Sequence, residues 1–215
     1  MSKYDEILNR IENTIKEQPV YEIDYFDPEK TVLIVIDMTE GFTREGILSS
    51  PEVESIIPDI KRLVQKADKR NIEIIYFADA HSEESPEVKR LGDHCLRGTS
   101  ESEIVEELKG YEDIKILKNT TNGFLAEDFQ NWLENNIYNI KNYIITGCVT
   151  DICVYNFATT LRAYLDKEEI IEAELYVPVN CVATYDLELH QVDLMNNIYL
   201  YGMMNYGIKL LKEIK

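Results

Sequence analysis

The chain has 215 residues, 45% of them hydrophobic, enough to bury the core of one sizeable α/β domain. A formal charge of -18, from 40 acidic against 22 basic side chains, excludes nucleic acid and anionic membrane as main partners, because both need Lys and Arg to neutralise phosphate. Cys95, Cys148, Cys153 and Cys181 form no C-x-x-C pair and are too few for a disulfide scaffold, and no apolar run approaches the roughly 18 residues that span a bilayer. Met1 to Glu6 does not begin a signal peptide, so a cytoplasmic protein with free thiols is the expectation.

Tyr4, Ile7, Ile11 and Ile15 recur at helical spacing behind Ser2, which predicts a helix capped by that serine and docked on the body or on a second subunit. An extended aromatic stretch (Tyr21, Tyr25, Phe26) leads to the run Thr31 to Ile36. That run is β-branched and apolar on both faces, the pattern of a buried parallel strand, and it ends at Asp37. Gly41 to Pro58 reads as a loop, and Ile60, Leu63, Val64 and Ala67 mark an amphipathic helix. Ile72 to Ala78 is the second strand, ending at Asp79, and Ala80 to about Gly98 is polar and loop-like. Glu101 to Leu108 reads as a short helix, and Ile114 to Leu117 as a third strand running into Lys118. After a loop from Asn119 to Gly123 comes a helix carrying Phe129, Trp132 and Leu133. Tyr143 to Cys148 is the fourth strand, followed by a small-residue turn and a helix through Phe157, Leu161 and Leu165. Glu174 to Val179 is the fifth strand, and a last helix runs from Asp186 through Leu189, Leu194 and Tyr201. This alternation predicts a three-layer, doubly wound α/β domain, with a mainly parallel sheet of about five or six strands and helices on both faces.

In such a sheet, ligands bind beyond the carboxyl ends of the strands. Asp37, Asp79, Lys118 and the turn before Cys153 all fall there, so groups far apart in sequence converge on one crevice. Singly each has a plainer reading: the aspartates as turn residues, the lysine as a solvated charge, the cysteine as a small core residue. A cysteine at a strand-to-helix junction meets backbone N–H groups and the positive end of a helix dipole, which favour its thiolate. Asp37 can accept its proton and Lys118 can stabilise the resulting charge. Asp79 and His81 share one face of an extended strand end. With Glu87 and His94 they form an oxygen and nitrogen set suited to zinc, iron or manganese, although loop histidines taken alone read as surface groups. Cys95, beside His94, is expected to point away, and His190 reads as a helix-surface or core histidine.

Asp37, Lys118 and Cys153 lie in three strings: Val35-Ile36-Asp37-Met38 with Phe42 five residues after the acid, Lys118 six residues before Phe124, and Gly147-Cys148-Val149-Thr150-Asp151-Ile152-Cys153-Val154. On them, from about Val32 to Thr184, the chain resembles the isochorismatase-like cysteine hydrolases, most of all the nicotinamidase/pyrazinamidase branch. The resemblance implies residues 31–215 as the hydrolase domain, with 1–30 an N-terminal extension packed on it or on a partner subunit. It implies an Asp37, Lys118, Cys153 triad, an oxyanion hole from the N–H groups of Val149 and Cys153, and a cis Cys148–Val149 bond. A divalent metal, zinc before iron or manganese, is implied on Asp79, His81 and His94, with Glu87 in the place of a fourth ligand. Phe42, Leu91, Asn122 and Phe124 are implied about the substrate, a small-molecule amide cleaved to its acid and ammonia through a Cys153 thioester. A homo-oligomer is implied by family habit.

The chain also departs from that branch. Leu91 stands where an aromatic residue usually stacks on the substrate ring, Thr39 where glutamine is usual, and Asn122 where serine is common. The alternatives left open are a metal-independent hydrolase of the same fold, acting on a carbamoyl compound or a vinyl ether, and a binding member that has lost chemistry.

Overall fold

The computed structural model describes residues 2–215. Ser2 and Asp5 form a capping box over α1 (Lys3–Lys16), each side chain accepting from the other's backbone N–H. The helix packs by Ile11 and Ile15 on the last helix of the chain, while Tyr4 and Ile7 stay exposed. The aromatic stretch is a short strand, β1 (Val20–Tyr21), followed by a 3-10 turn at Ile23–Tyr25.

β2 (Thr31–Ile36) is buried at every position. The segment expected to be a loop after it carries two short helices, α2 (Glu40–Thr43) and α3 (Pro51–Ser55), ahead of α4 (Ile57–Lys69). Ser50 caps α3 and Pro51 opens it, a start signal inside what otherwise reads as turn sequence. β3 (Glu73–Asp79) follows, and the polar stretch after it holds another short helix, α5 (Pro86–Leu91), capped by Ser85. The helix expected over Glu101 to Leu108 is absent. Two 3-10 turns stand there instead, separated by an extended segment in which Ile104 bridges Thr39 and Val105 donates to the Met38 carbonyl. Tertiary pairing with the β2 exit has overridden local helical preference.

β4 (Ile114–Lys118), α6 (Glu127–Asn136), β5 (Asn142–Cys148), α7 (Tyr155–Lys167) and β6 (Glu174–Pro178) lie close to their expected places. A two-residue strand, β7 (Val182–Ala183), pairs with the end of β5. The last helix, α8 (Val192–Asn205), starts later than expected, because residues 185–190 fold into a tight loop closed by reciprocal Leu187–His190 backbone bonds. Like β7, two further short strands are not expected from the sequence: β8 (Lys209–Leu211), at the edge of the sheet, and β9 (Glu213–Ile214), which pairs in parallel with β1.

The sheet runs in the order β4-β3-β2-β5-β6-β8, with every pairing parallel. Successive β2 side chains serve opposite layers. Val32, Ile34 and Ile36 join a core with α6, α7 and α8, and Leu33 and Val35 a core with α4. The chain order reverses between β2 and β5, so the crevice at their carboxyl ends is the switch point where a doubly wound sheet binds ligands. Among the described residues no helix is long and apolar enough to cross a membrane.

Phe77, Phe129 and Phe157 are fully buried and meet pairwise, with ring centroids 5.0 to 5.5 Å apart. Truncating one leaves a cavity that neighbouring rings cannot fill. Phe157→Ala is expected to cost about 3–5 kcal/mol in urea denaturation. A loss below about 1 kcal/mol would mean that this aromatic group is not the packed centre of its layer.

Candidate active site

At the end of β2 the chain turns sharply. Asp37 adopts a left-handed backbone (φ 55), its N–H donates to the Phe77 carbonyl at 3.0 Å, and its side chain is buried. Next to it, β5 stays against β2 to its end through Gly147. A Cβ at that position would stand 2.0 Å from the Ile36 carbonyl oxygen, and its φ of +110 suits glycine alone. This close approach brings Cys148 beside Asp37, whose carbonyl accepts from the Cys148 thiol at 3.1 Å. The Cys148–Val149 peptide is cis, and a π-helical turn at Thr150–Val154 then presents Cys153 ahead of α7.

The central group is Lys118. In β4 it is the direct register partner of Asp79 in β3, and its ammonium is wholly enclosed. Nζ lies 2.7 Å from Asp79 Oδ1, 2.8 Å from Asp37 Oδ2, 3.1 Å from the Thr120 carbonyl and 3.8 Å from Cys153 Sγ. Burial opposes the lysine charge, but the two carboxylates outweigh it and hold the ammonium protonated well above its ordinary range. Burial likewise opposes the Asp79 charge, and Lys118 with His81 overcomes it, keeping that carboxyl below its usual value. Asp37 fares differently: burial lifts it to about 7 against the pull of Lys118, and Asp79 adds repulsion. Lys118 holds Oδ2 in the 2.8 Å ion pair, while Oδ1 has no hydrogen-bond partner and keeps its lone pairs free to accept a proton. Burial also raises the Cys153 thiol well above its ordinary value, with Lys118 pulling the other way. Burial thus favours the protonated sulfur, which needs a base; Asp37 meets the same Lys118 ammonium that Cys153 approaches.

Asp79 belongs to a second group as well. One ligand atom from each of Asp79, His81, Glu87 and His94 lies within 4.8 Å of every other, and all four residues are buried. His94 Nδ1 meets the Gly92 carbonyl at 2.8 Å, which fixes the ring and leaves its Nε2 a free acceptor without a partner; His81 Nε2 makes no well-directed hydrogen bond and stands 3.3 Å from Asp79 Oδ2 and 4.0 Å from Glu87 Oε1. Two orphaned imidazole nitrogens facing two carboxylates fit a divalent cation. The nitrogen and oxygen donors without thiolate suit zinc, iron or manganese. Cys95 stays outside the group, its sulfur 3.8 Å from the Thr39 hydroxyl.

Both groups border a cavity of about 390 Å³, within the usual range for small-ligand sites. Of the residues expected about the substrate, Phe42 and Leu91 line it, along with Val149 and Cys153. Asn122 and Phe124 do not. Asn122 accepts from the Phe124 N–H and donates to the Thr160 hydroxyl, and Phe124 packs into the aromatic core against Phe129 and Tyr164. The short loop after Lys118 turns both inward, away from the crevice. Ile47, Ile152, Tyr185 and Leu187 line the cavity without having been singled out in the sequence. His190 is not a helix residue: it precedes α8, and its Nε2 sits 2.8 Å from Asp151 Oδ2.

If Lys118 is what allows two carboxylates to share this interior, its removal leaves both charges buried without a partner. Lys118→Met is expected to lose about 3–5 kcal/mol of stability by urea denaturation. Unchanged stability would show that the carboxylates do not depend on it.

Residues 31–203 match the isochorismatase domain. The chain is 26% identical over 211 residues to nicotinamidase 1 of Arabidopsis thaliana, covering 85% of each. Among solved structures it is similar to a Pyrococcus horikoshii pyrazinamidase in complex with zinc (TM-score 0.67, 26% identity, 85% of this chain and 98% of that one). It also shares its fold with an N-carbamoylsarcosine amidase of Thermoplasma acidophilum (TM-score 0.70, 22% identity, 86% and 99%). Fold, strand-end site and domain match together establish that the chain belongs to the isochorismatase family of hydrolases.

Proposed function

We propose that this protein is a metal-containing cysteine amidohydrolase that converts nicotinamide, or a close heteroaromatic amide, to its carboxylic acid and ammonia. The observation that carries the reading is the placing of Asp37, Lys118 and Cys153 directly beside the Asp79, His81, Glu87 and His94 set, on the border of one largely apolar cavity. Similarity to a nicotinamidase and to a zinc-bound pyrazinamidase supports the same substrate class.

In this reading the Cys153 S–H proton passes to Asp37 as sulfur attacks the amide carbonyl carbon. Lys118 offsets the charge created between sulfur and carboxylate, and the N–H groups of Val149 and Cys153 receive the oxyanion. Asp37 returns the proton to nitrogen as the C–N bond breaks and ammonia leaves. Water, deprotonated by Asp37, then attacks the thioester, and the thiol is restored as the acid departs. Asp79, His81, Glu87 and His94 would hold the divalent ion. Its contribution when bound is an anchoring contact to a substrate heteroatom, which orients the ring. Residues 1–30 act as an extension clasping the hydrolase domain at 31–215, and the working form is a homo-oligomer. Leu91 favours a second reading, cleavage of a carbamoyl compound without metal; the apolar cavity lining counts against so polar a substrate.

Incubation of metal-supplied protein with nicotinamide or pyrazinamide is expected to release ammonia, and Cys153→Ala to abolish release with the fold intact. Absence of ammonia from both amides would reject the substrate, and normal turnover by Cys153→Ala would reject the nucleophile. Chelation that leaves activity unchanged would favour the carbamoyl reading. The pH profile follows from Asp37, which can act as base only when ionised. Without a bound cation the Asp37 carboxyl is raised from 3.8 to about 7, and a cation on Asp79 would draw it part of the way back, so kcat/KM of the metal-supplied protein is expected to fall about tenfold per pH unit below an inflection between those two values and to level off above it. A profile with no acid limb down to the ordinary carboxylate range would remove Asp37 from the role of base.

A further inference from the structure

The loop between β7 and α8 holds an arrangement that the mechanism does not use. The Tyr185 and His190 rings stack with centroids 3.8 Å apart and planes 9° from parallel. His190 Nδ1 meets the Tyr185 carbonyl at 3.0 Å, and its Nε2 meets Asp151 Oδ2 at 2.8 Å. The other Asp151 oxygen accepts from the Thr184 hydroxyl at 2.5 Å. Asp151 stands on the turn that presents Cys153, two positions before it, so one carboxylate ties this loop to the nucleophile's own backbone. The loop is further closed by the Leu187–His190 bridge and by Asp186 accepting from the Val192 N–H at 3.2 Å.

Tyr185 borders the cavity together with Cys153, Val149 and Phe42. His190 covers one face of its ring, so the cavity meets what that stack leaves open. Elsewhere in the same lining, where the family resemblance expects an aromatic residue, Leu91 is 49% exposed and offers only a branched aliphatic surface. A flat substrate ring gains more from an aromatic surface than from an aliphatic one, and more again from a ring already immobilised.

We propose that Tyr185 is a specificity-determining residue of this cavity, the aromatic wall on which a planar substrate ring lies, and that His190 and Asp151 are positioning residues that hold it there. The proposal rests on the amidase reading and narrows it to flat-ring amides over puckered or linear ones. The Asp151 carboxylate makes the wall and the nucleophile one rigid piece, so a ring seated on Tyr185 has its exocyclic amide held at a constant distance from Cys153.

The test uses Cys153→Ala protein supplied with metal and compares calorimetric binding of benzamide with that of cyclohexanecarboxamide, which has the same number of ring atoms but is puckered. The flat ring is expected to bind about threefold to tenfold tighter. Tyr185→Leu should bring that ratio near one, and Tyr185→Phe should keep it. His190→Ala should lower it, with no further loss when added to Tyr185→Leu, since it acts through the same ring. A ratio unchanged in Tyr185→Leu, or no preference in the protein that retains Tyr185, overturns the proposal. Ammonia release from nicotinamide by the unaltered protein is scored separately, so failure of the amidase reading and failure of the aromatic wall are distinct results.

Discussion

A single buried ammonium organises this protein. Lys118 is enclosed between Asp37 and Asp79, each at the end of a different strand, and reaches Cys153 from a third direction. Charge buried in this way is costly unless paired, and two carboxylates against one ammonium leave the group one negative charge in excess. That excess explains how the two acids divide. Asp79, nearer to His81 as well as Lys118, keeps its charge and belongs with the ligand set; Asp37 is the one lifted into the range where a proton comes and goes. A cation held by Asp79, His81, Glu87 and His94 would relieve the same excess, so metal affinity and Asp37 basicity are two expressions of one electrostatic imbalance.

Much of this was legible in the sequence. β2 and β5 announce themselves as apolar runs because parallel strands are buried on both faces, and Asp37 and Cys153 are found by following those strands to their ends. What was not legible depends on contacts that no local window contains. β8 and β9 are too short to carry a period, and residues 101–108 look helical until their pairing with the β2 exit is seen. Asn122 and Phe124 are expected at the substrate by resemblance, but the short loop bonds Asn122 to Thr160 and packs Phe124 into the aromatic core. His190 looked helical because apolar residues on both sides suggested a continuous period, whereas its partner is Asp151, on a distant turn.

The cavity divides chemically along its depth. Its inner end is polar and closely paired, and its mouth is rimmed by exposed apolar side chains, Ile47, Leu91 and Leu187. This separation suits a substrate with one reactive polar group and an apolar body. It also keeps water away from the thiol and carboxylate once the mouth is filled, where weaker screening strengthens each charge interaction.

The pairing of β1 with β9 bears on how the chain reaches this state. Val20 and Glu213 are register partners from opposite ends of the sequence, and the Tyr21 ring packs near Phe26 and Tyr176 with centroids 6.3 Å from each. That contact has very high sequence separation, so it belongs to the late part of folding. During synthesis, β1 is made well before the β9 with which it pairs. For that interval Tyr21 lacks the neighbours from the distal part of the chain that flank it in the folded protein, and apolar surface of that kind favours association between chains. A strand of two residues, too short to add much stability by itself, thereby fastens residues 20–21 only once residues 213–214 are in place.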